Sequence, residues 1–373
     1  MRVVCIAAAR PNFMKIAPVL VALDDAGAET VLVHTGQHYD EAMSQVFFEE
    51  LDIRKPDEHL GVGSGSHAEQ TARVMVAFES LLTTLFADVV VVVGDVNSTL
   101  ACAIVAAKSG LLVAHVEAGL RSRDWGMPEE VNRVVADRVS DYLFAPSADA
   151  VDNLRAEGYR EDQIHLVGNV MVDTLLRNVE RARARGLPPD LGLQPGGYAL
   201  LTLHRPSNVD DPATLSRLLG ALGEVAREIP IIFPAHPRTR ERLAGLEVPA
   251  GIVLTEPRGY LDFLALQADA KLVLTDSGGI QEETTALGVA CLTLRETTER
   301  PITVSEGTNR VVGTDPLAIV EGARAALRGE VVPRCPALWD GAAASRIARV
   351  IVDGGTAADR LRPTDLPGPG SGN

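Results

Sequence analysis

The sequence predicts an α/β protein built from two Rossmann-like, doubly wound domains facing one another across a cleft. Three observations carry that expectation. Short apolar runs without polar alternation mark strands covered on both faces, as in parallel sheets. Helical patterns fall between those runs, giving a repeated β-α-β unit. The alternation then breaks at an Arg-rich stretch punctuated by Pro and Gly, residues 181–197, and starts again. A length of 373 residues suits two domains, at about 150 residues each.

The first strand is read at Val3-Val4-Cys5-Ile6, followed by Val31-Leu32-Val33, Val89 to Val93 and Val113-Ala114-His115-Val116. Their β-branched residues fit a pleated, buried surface. Ile16 to Asp25, Ala68 to Leu85 and Ser98 to Ser109 are the helices between them. After the break, strands are expected at Tyr198 to Leu203, Ile231-Ile232-Phe233, Ile252-Val253-Leu254, Leu272 to Thr275 and Ala290 to Thr293. The boundary falls in or just before a helix near Val170 to Arg185, which gives a first domain of 1–169 and a second of 170–339. Residues 354–373, with Pro363, Pro367, Pro369 and several glycines, read as a disordered tail.

Composition narrows the function. There are 35 basic and 50 acidic residues, a net charge of −15, and the only lysines are Lys15, Lys55, Lys108 and Lys271. Nucleic acid is therefore not an expected partner. Cys5, Cys102, Cys291 and Cys335 lie far apart, without zinc or CxxC spacing, and read as free thiols suited to a reducing cytoplasm. The apolar run Val3 to Ala9 is too short for a signal-peptide core, and no run of about 18 apolar residues exists to cross a membrane. Neither GxxxxGK[ST] nor GxGxxG after the first strand is present, which disfavours ATP hydrolysis and NAD. Gly61, Gly63 and Gly65 read as a connection in a polar loop that follows no strand.

Ligands of open α/β sheets bind beyond the carboxyl ends of the strands, and those ends are polar here. They carry Ala9-Arg10-Pro11-Asn12 with Lys15, Gly94-Asp95, Glu117 to Arg121, His204-Arg205, Ala235-His236-Pro237, and Thr275-Asp276-Ser277-Gly278-Gly279. The last group precedes a helix expected from near Ile280. Its backbone N–H groups and glycines make either a phosphate cradle or an ordinary turn with Ser277 as cap. Arg10, Arg295 and Arg300 can add charge to such a cradle, and Glu283 can accept from a ribose diol or stand as a solvated helix charge. Asp95, Glu117 and Glu129 come from three segments, and each has a structural alternative. Asp95 can cap the following helix, Glu117 can pair with Arg121, and Glu129 suits a first helical turn after Pro128. Together they suit proton transfer at a sugar carbon, which needs acids near both ring faces. His204 can stabilise a departing diphosphate or be structural. His34 and His38, with Gly36 between them, read as a loop rather than a metal pair, and no metal site is expected.

These residues carry a family resemblance. Ala9-Arg10-Pro11 with Lys15-Ile16-Ala17-Pro18, Gly94-Asp95, His115 to Arg121, Pro128 to Arg133, His204-Arg205, Thr275 to Glu283, Thr297 to Pro301, and Asp340-Gly341 with Ser345 occur in order. In this, the sequence resembles the non-hydrolysing UDP-N-acetylglucosamine 2-epimerases from its first strand to about Ile351. The resemblance implies a GT-B type fold, a homodimer, and a C-terminal helix, 340–353, crossing back onto the first domain. It implies Asp95, Glu117 and Glu129 as acid/base carboxylates, with His204 and Arg10 around the leaving diphosphate. It also implies Ser277, Gly278 and Gly279 holding that diphosphate, Glu283 the ribose, Phe263 the uracil face, and Lys15 and Arg133 contacting substrate from the first domain. No cofactor is implied, neither metal nor NAD.

The implied reaction is anti elimination of UDP to 2-acetamidoglucal, then readdition with the proton returned to the other face. The C-2 proton has no neighbouring carbonyl to acidify it, so departure of UDP must build positive charge at C-1 before a carboxylate suffices as base. At Gln37-His38-Tyr39-Asp40, an aspartate stands where relatives tied to activation by a second UDP-GlcNAc carry glutamine. That control is not expected here. The competing expectations are an epimerase of a modified UDP-2-acetamido sugar, a hydrolysing epimerase, and a GT-B glycosyltransferase or UDP-sugar sensor.

Overall fold

The computed structural model describes residues 1–36 and 50–355, except for the side chains of Arg10 and Pro11. In the first lobe the strands are β1 (Arg2–Ala7), β2 (Glu29–His34), β3 (Glu58–His59), β4 (Val89–Val93), β5 (Leu112–Val116), β6 (Tyr142–Ala145) and β7 (Ile164–Leu166). Its helices are α1 (Arg10–Asp25), α2 (His67–Leu82), α3 (Asn97–Lys108), α4 (Pro128–Val139) and α5 (Ala148–Ala156), and α6 (Val170–Ala184) leads from it to the second lobe. The second lobe has β8 (Ala199–Thr202), β9 (Ile231–Pro234), β10 (Ile252–Thr255), β11 (Leu272–Thr275), β12 (Ala290–Thr293) and β13 (Asn309–Val311). Its helices run from α7 (Leu187–Asp190) through α8 (Pro206–Val209), α9 (Pro212–Ala226), α10 (Pro237–Leu243), α11 (Tyr260–Ala268), α12 (Gly278–Leu287) and α13 (Ile302–Ser305) to α14 (Pro316–Leu327). The chain closes with α15 (Ala343–Asp353).

Both sheets are parallel, in the orders β3-β2-β1-β4-β5-β6-β7 and β10-β9-β8-β11-β12-β13. Each reverses once, between β1 and β4 and between β8 and β11, and a crevice opens at such a switch point. The all-apolar strands are explained by their two covered faces. Val89, Val91 and Val93 of β4 pack with Ile16, Leu20 and Leu175, while Val90 and Val92 pack with Val74, Phe78 and Cys102. Leu272 and Leu274 of β11 likewise face Leu218 and Leu222, while Val273 faces Leu266.

The first core does not stop at the first lobe. Tyr260, Leu261, Leu264 and Ala265 of α11 join it, as do Ile347 and Ile351 of α15. Asp173 on α6 accepts from the first free N–H groups of α15, Ala344 at 2.7 Å and Ala343 at 3.1 Å, as an N-terminal carboxylate should. Trp339 Nε1 donates to the Pro146 carbonyl at 2.9 Å. The described helices include none long and apolar enough to cross a membrane.

Several boundaries differ from expectation. The first helix starts at Arg10 rather than Ile16, because Pro11 sits where a missing N–H costs nothing and Asn12 Oδ1 accepts from the Ala9 N–H at 3.0 Å. The helix after Thr275 starts at Gly278 rather than Ile280. Gly61 and Gly63 do follow a strand, the two-residue edge β3, whose Glu58-His59 has no apolar signature. The segment Gln37 to Asp40, and the expected tail from 356 onward, lie outside the described residues.

Candidate active site

The turns at the two switch points meet in a cavity of about 470 Å³. Of the residues expected there, Lys15, Asp95, Glu129, Arg133, Phe263, Ser277, Gly278, Gly279 and Glu283 line it. Glu117 lies behind Lys15, buried at 5% exposure, and His204 projects outside the lining at the second switch point. Arg10 opens α1 in the turn after β1.

The first-lobe wall is made of ion pairs. Lys15, on the second turn of α1, bonds Glu117 through Nζ and Oε2. Glu117 therefore pairs across the sheet instead of with Arg121. Its backbone has φ +71°, a left-handed conformation costly for a side chain with a Cβ, and its Oε1 is buried without a partner. Gly94, φ +65°, leaves room for this pair, since a Cβ there would stand 3.0 Å from Lys15 Nζ. Asp95 does not cap α3, whose N-cap is Val96; it bonds Arg133 Nη2. Burial would raise the Asp95 carboxyl, but the cations of Arg133, Lys15 and Arg300 outweigh that and hold it below its ordinary value. Glu129 sits in the first turn of α4, exposed toward the cavity. Glu130, beside it, ties Arg133 at 2.5 Å to the backbone of Ser122 and Arg123.

The second-lobe wall sets the backbone of a helix start among charged side chains. Gly278 and Gly279 begin α12, and Ser277, at the N-cap, makes no side-chain cap bond. The N–H groups of that first turn have no helical partner and carry partial positive charge. Space at 278 is tight: a Cβ would come 3.1 Å from Glu299 Oε1 and 3.2 Å from Arg300 Nη1, so those side chains would have to give by a few tenths of an ångström. Arg300 is buried between Glu282, at 3.2 Å, and Glu299, at 3.3 Å. Asp276, fully buried, accepts from the N–H groups of His204 and Arg205 at 3.0 and 2.9 Å and from His204 Nδ1 at 2.8 Å. It thus fixes the His204-Arg205 turn beside the cradle. Burial pushes the Glu283 carboxyl up to about 7, and neighbouring Glu282 adds to the rise.

Sequence reasoning assigned nothing to Glu282, Glu299 or Tyr260, which line the cavity, or to Asp276. The adjacent pairs Glu282-Glu283, inside α12, and Glu299-Arg300, in the stretch after β12, were the available signal. A model of the UDP-N-acetylglucosamine 2-epimerase family matches residues 22–352. The UDP-N-acetylglucosamine 2-epimerase of Methanocaldococcus jannaschii is 41% identical over 95% of this chain and all of its own. The UDP-2,3-diacetamido-2,3-dideoxy-D-glucuronate 2-epimerase of Pseudomonas aeruginosa is 40% identical over 94% of this chain and 99% of its own. A crystal structure of the Methanocaldococcus enzyme, in complex with UDP-GlcNAc and UDP, superposes with a TM-score of 0.87 over 95% of this chain and 100% of that one. With the family model matched over most of its length and relatives aligned nearly end to end, the chain belongs to the UDP-N-acetylglucosamine 2-epimerase family, and is an isomerase with a GT-B-like fold.

Proposed function

We propose that this epimerase interconverts UDP-N-acetylglucosamine and UDP-N-acetylmannosamine by eliminating UDP and adding it back. One observation carries the reading: Asp95, Glu129 and the Lys15–Glu117 pair stand on one side of a single cavity, and the α12 N-terminus stands on the other. In this reading the Ser277–Gly279 N–H groups hold the diphosphate, Glu283 the ribose and Phe263 the uracil. Developing charge on the leaving diphosphate is met by the α12 N-terminus, with His204 and Arg10 near it; preorganised donors of this kind are worth about 2.7–4 kcal/mol. Asp95, Glu117 and Glu129 carry protons at C-2, typically about 10²–10⁴-fold in rate each, while Lys15 and Arg133 fix two of them and contact the sugar. The unpartnered Glu117 Oε1 supports that role, because a buried carboxylate oxygen otherwise finds a donor.

The Pseudomonas relative motivates a second reading, a diacetamido uronate as substrate. Against it, the lining cations among the described side chains, Lys15, Arg133, Arg205 and Arg300, are each paired with a carboxylate. A sugar carboxylate would have to displace one. Proton NMR of the enzyme with UDP-N-acetylglucosamine in deuterated water tests both. Loss of the C-2 proton with a UDP-linked manno product is expected. Free N-acetylmannosamine would instead mark a hydrolysing enzyme, and exchange only with the diacetamido uronate would favour the second reading.

The proposal further takes the enzyme as a cytoplasmic homodimer, checked by sedimentation and by localisation of the tagged chain. All four cysteines are free thiols, which suits a reducing compartment, and Val76 and Phe86 offer exposed apolar surface on the first lobe, at 69% and 83%. It takes 1–169 and 170–339 as the domains, with the last helix returned to the first. Gly168, φ +89°, lies against the Leu338 carbonyl, so the two chain crossings meet at one place.

A further inference from the structure

Glu129, Arg133 and Asp137 are spaced i, i+4 and i+8 on α4, so they stack along one helix face. The first opens on the cavity and the second grips Asp95. Asp137, one turn further on, is fully buried and does not line the cavity. Its Oδ1 lies 2.6 Å from His115 Nδ1, and its Oδ2 accepts from Arg121 Nη2 at 2.8 Å and from the Gly119 N–H at 3.1 Å. His115, fully buried at the end of β5, places Nε2 2.8 Å from the Gly94 carbonyl.

The far ends of this chain of bonds are informative. Gly94 immediately precedes Asp95, and Gly119 lies two residues beyond Glu117. One buried side-chain pair is therefore bonded to the backbone of both turns from which these acids project. The second turn needs holding, since Glu117 adopts a left-handed backbone that is costly for a residue with a Cβ, and the first hinges on a glycine free to move without such a hold. A buried polar pair of this kind is a weak source of stability, because apolar side chains of similar volume serve as well or better. What apolar residues cannot do is bond a carbonyl on one turn and an N–H on the next.

We infer that Asp137 and His115 are positioning residues for epimerisation, setting the separation of Asp95 and Glu117 across the sugar through the Gly94 carbonyl and the Gly119 N–H. The inference rests on the reading of those two acids as proton carriers. The pair touches neither the nucleotide cradle nor the cavity, so its loss lowers kcat and leaves UDP binding alone. A displacement of about 1 Å in a catalytic group costs on the order of 10²-fold in rate.

The two nitrogens of His115 can be separated. Gln at 115 keeps a donor at the reach of Nε2, toward Gly94, whereas Asn keeps one near the position of Nδ1, toward Asp137, and falls short of Gly94. Steady-state turnover of UDP-N-acetylglucosamine and calorimetric UDP affinity are measured for H115N, H115Q, D137N and D95N. The inference expects H115N and D137N to lose kcat by about 10²-fold, H115Q to recover to within about fivefold of wild type, and all three to bind UDP within about twofold of it. It is overturned if H115N keeps full turnover, if H115Q is no better than H115N, or if UDP affinity falls in step with kcat. Should H115N fail to fold, D137N against H115Q makes the same comparison. D95N separates the layers: if it turns over normally, the acid assignment falls and this inference with it; if it is inactive while D137N and H115N are unimpaired, only the positioning claim falls.

Discussion

On the first lobe the cavity wall consists of charged side chains locked in pairs, Lys15 with Glu117 and Arg133 with Asp95. On the second, a helix start without side chains at Gly278 and Gly279 faces the cavity among the paired charges of Arg205, Glu299 and Arg300. The difference follows from what each wall has to do. A proton carrier must change charge during the reaction, so its surroundings must be side chains whose fields can be set one by one. A leaving diphosphate gains negative charge as its bond to the sugar breaks, and fixed backbone dipoles meet that charge without any protonation change of their own. The division predicts that damage to the first wall shows in turnover and damage to the second in affinity.

The largest expected effect is on the first wall. Asp95→Asn and Glu117→Gln should each cut kcat by about 10²–10⁴-fold while UDP affinity, measured by calorimetry, stays within about threefold. A parallel loss of UDP affinity would break the comparison. Next, Gly278→Val should weaken UDP binding by about 10-fold or more, roughly 1.4 kcal/mol. The added carbons meet Glu299 and Arg300, and unchanged affinity would remove the cradle from α12.

Glu283 sharpens the contrast, because it is the titrating group of the binding wall. Its carboxyl is raised to about 7, against about 4.3 when unfolded. The protonated form thus favours the fold; that contribution is fully present below about pH 4 and is lost as pH rises through about 7. A ribose diol needs the ionised form as acceptor, so UDP affinity should rise severalfold between pH 6 and 8. Glu283→Gln should flatten both profiles, and a wild-type affinity that does not change with pH would contradict the ribose assignment. The smallest effect lies away from both walls. Asp173→Ala removes the acceptor for the Ala343 and Ala344 N–H groups and should cost about 1 kcal/mol in urea unfolding, with kcat and UDP affinity unchanged.

The parts of this structure legible in the sequence are those with a local signature. Val89–Val93, Leu272–Thr275 and Ala290–Thr293 announce themselves as unbroken apolar runs, because both faces of a parallel strand are covered. Glu58–His59 and Asn309–Val311 do not, since these edge strands are held by backbone pairing and polar side-chain bonds, which require no apolar pattern. Tyr142–Ala145 and Ile164–Leu166 are too short for periodicity to separate from helix. At the site, Asp95 and Ser277–Gly279 were readable because they directly follow strands. The Lys15–Glu117 pair was not, as its members stand 102 residues apart. Nor was the burial of Glu282, which depends on Asn169 and Arg300 from distant turns.

The return of α15 to the first lobe has a consequence for how the protein is made. Ile347 and Ile351 complete the apolar face formed by Ile16, Leu20 and Leu23, yet they are translated after the entire second lobe. Domains ordinarily fold as they leave the ribosome, the N-terminal one first. Here the lobe begun first is finished last, and a nascent chain halted before Ala343 should leave the α1 face open to chaperones and proteases while its second lobe is already resistant. Limited proteolysis of stalled chains would show that order directly. An error late in translation would therefore damage the half of the enzyme synthesised earliest.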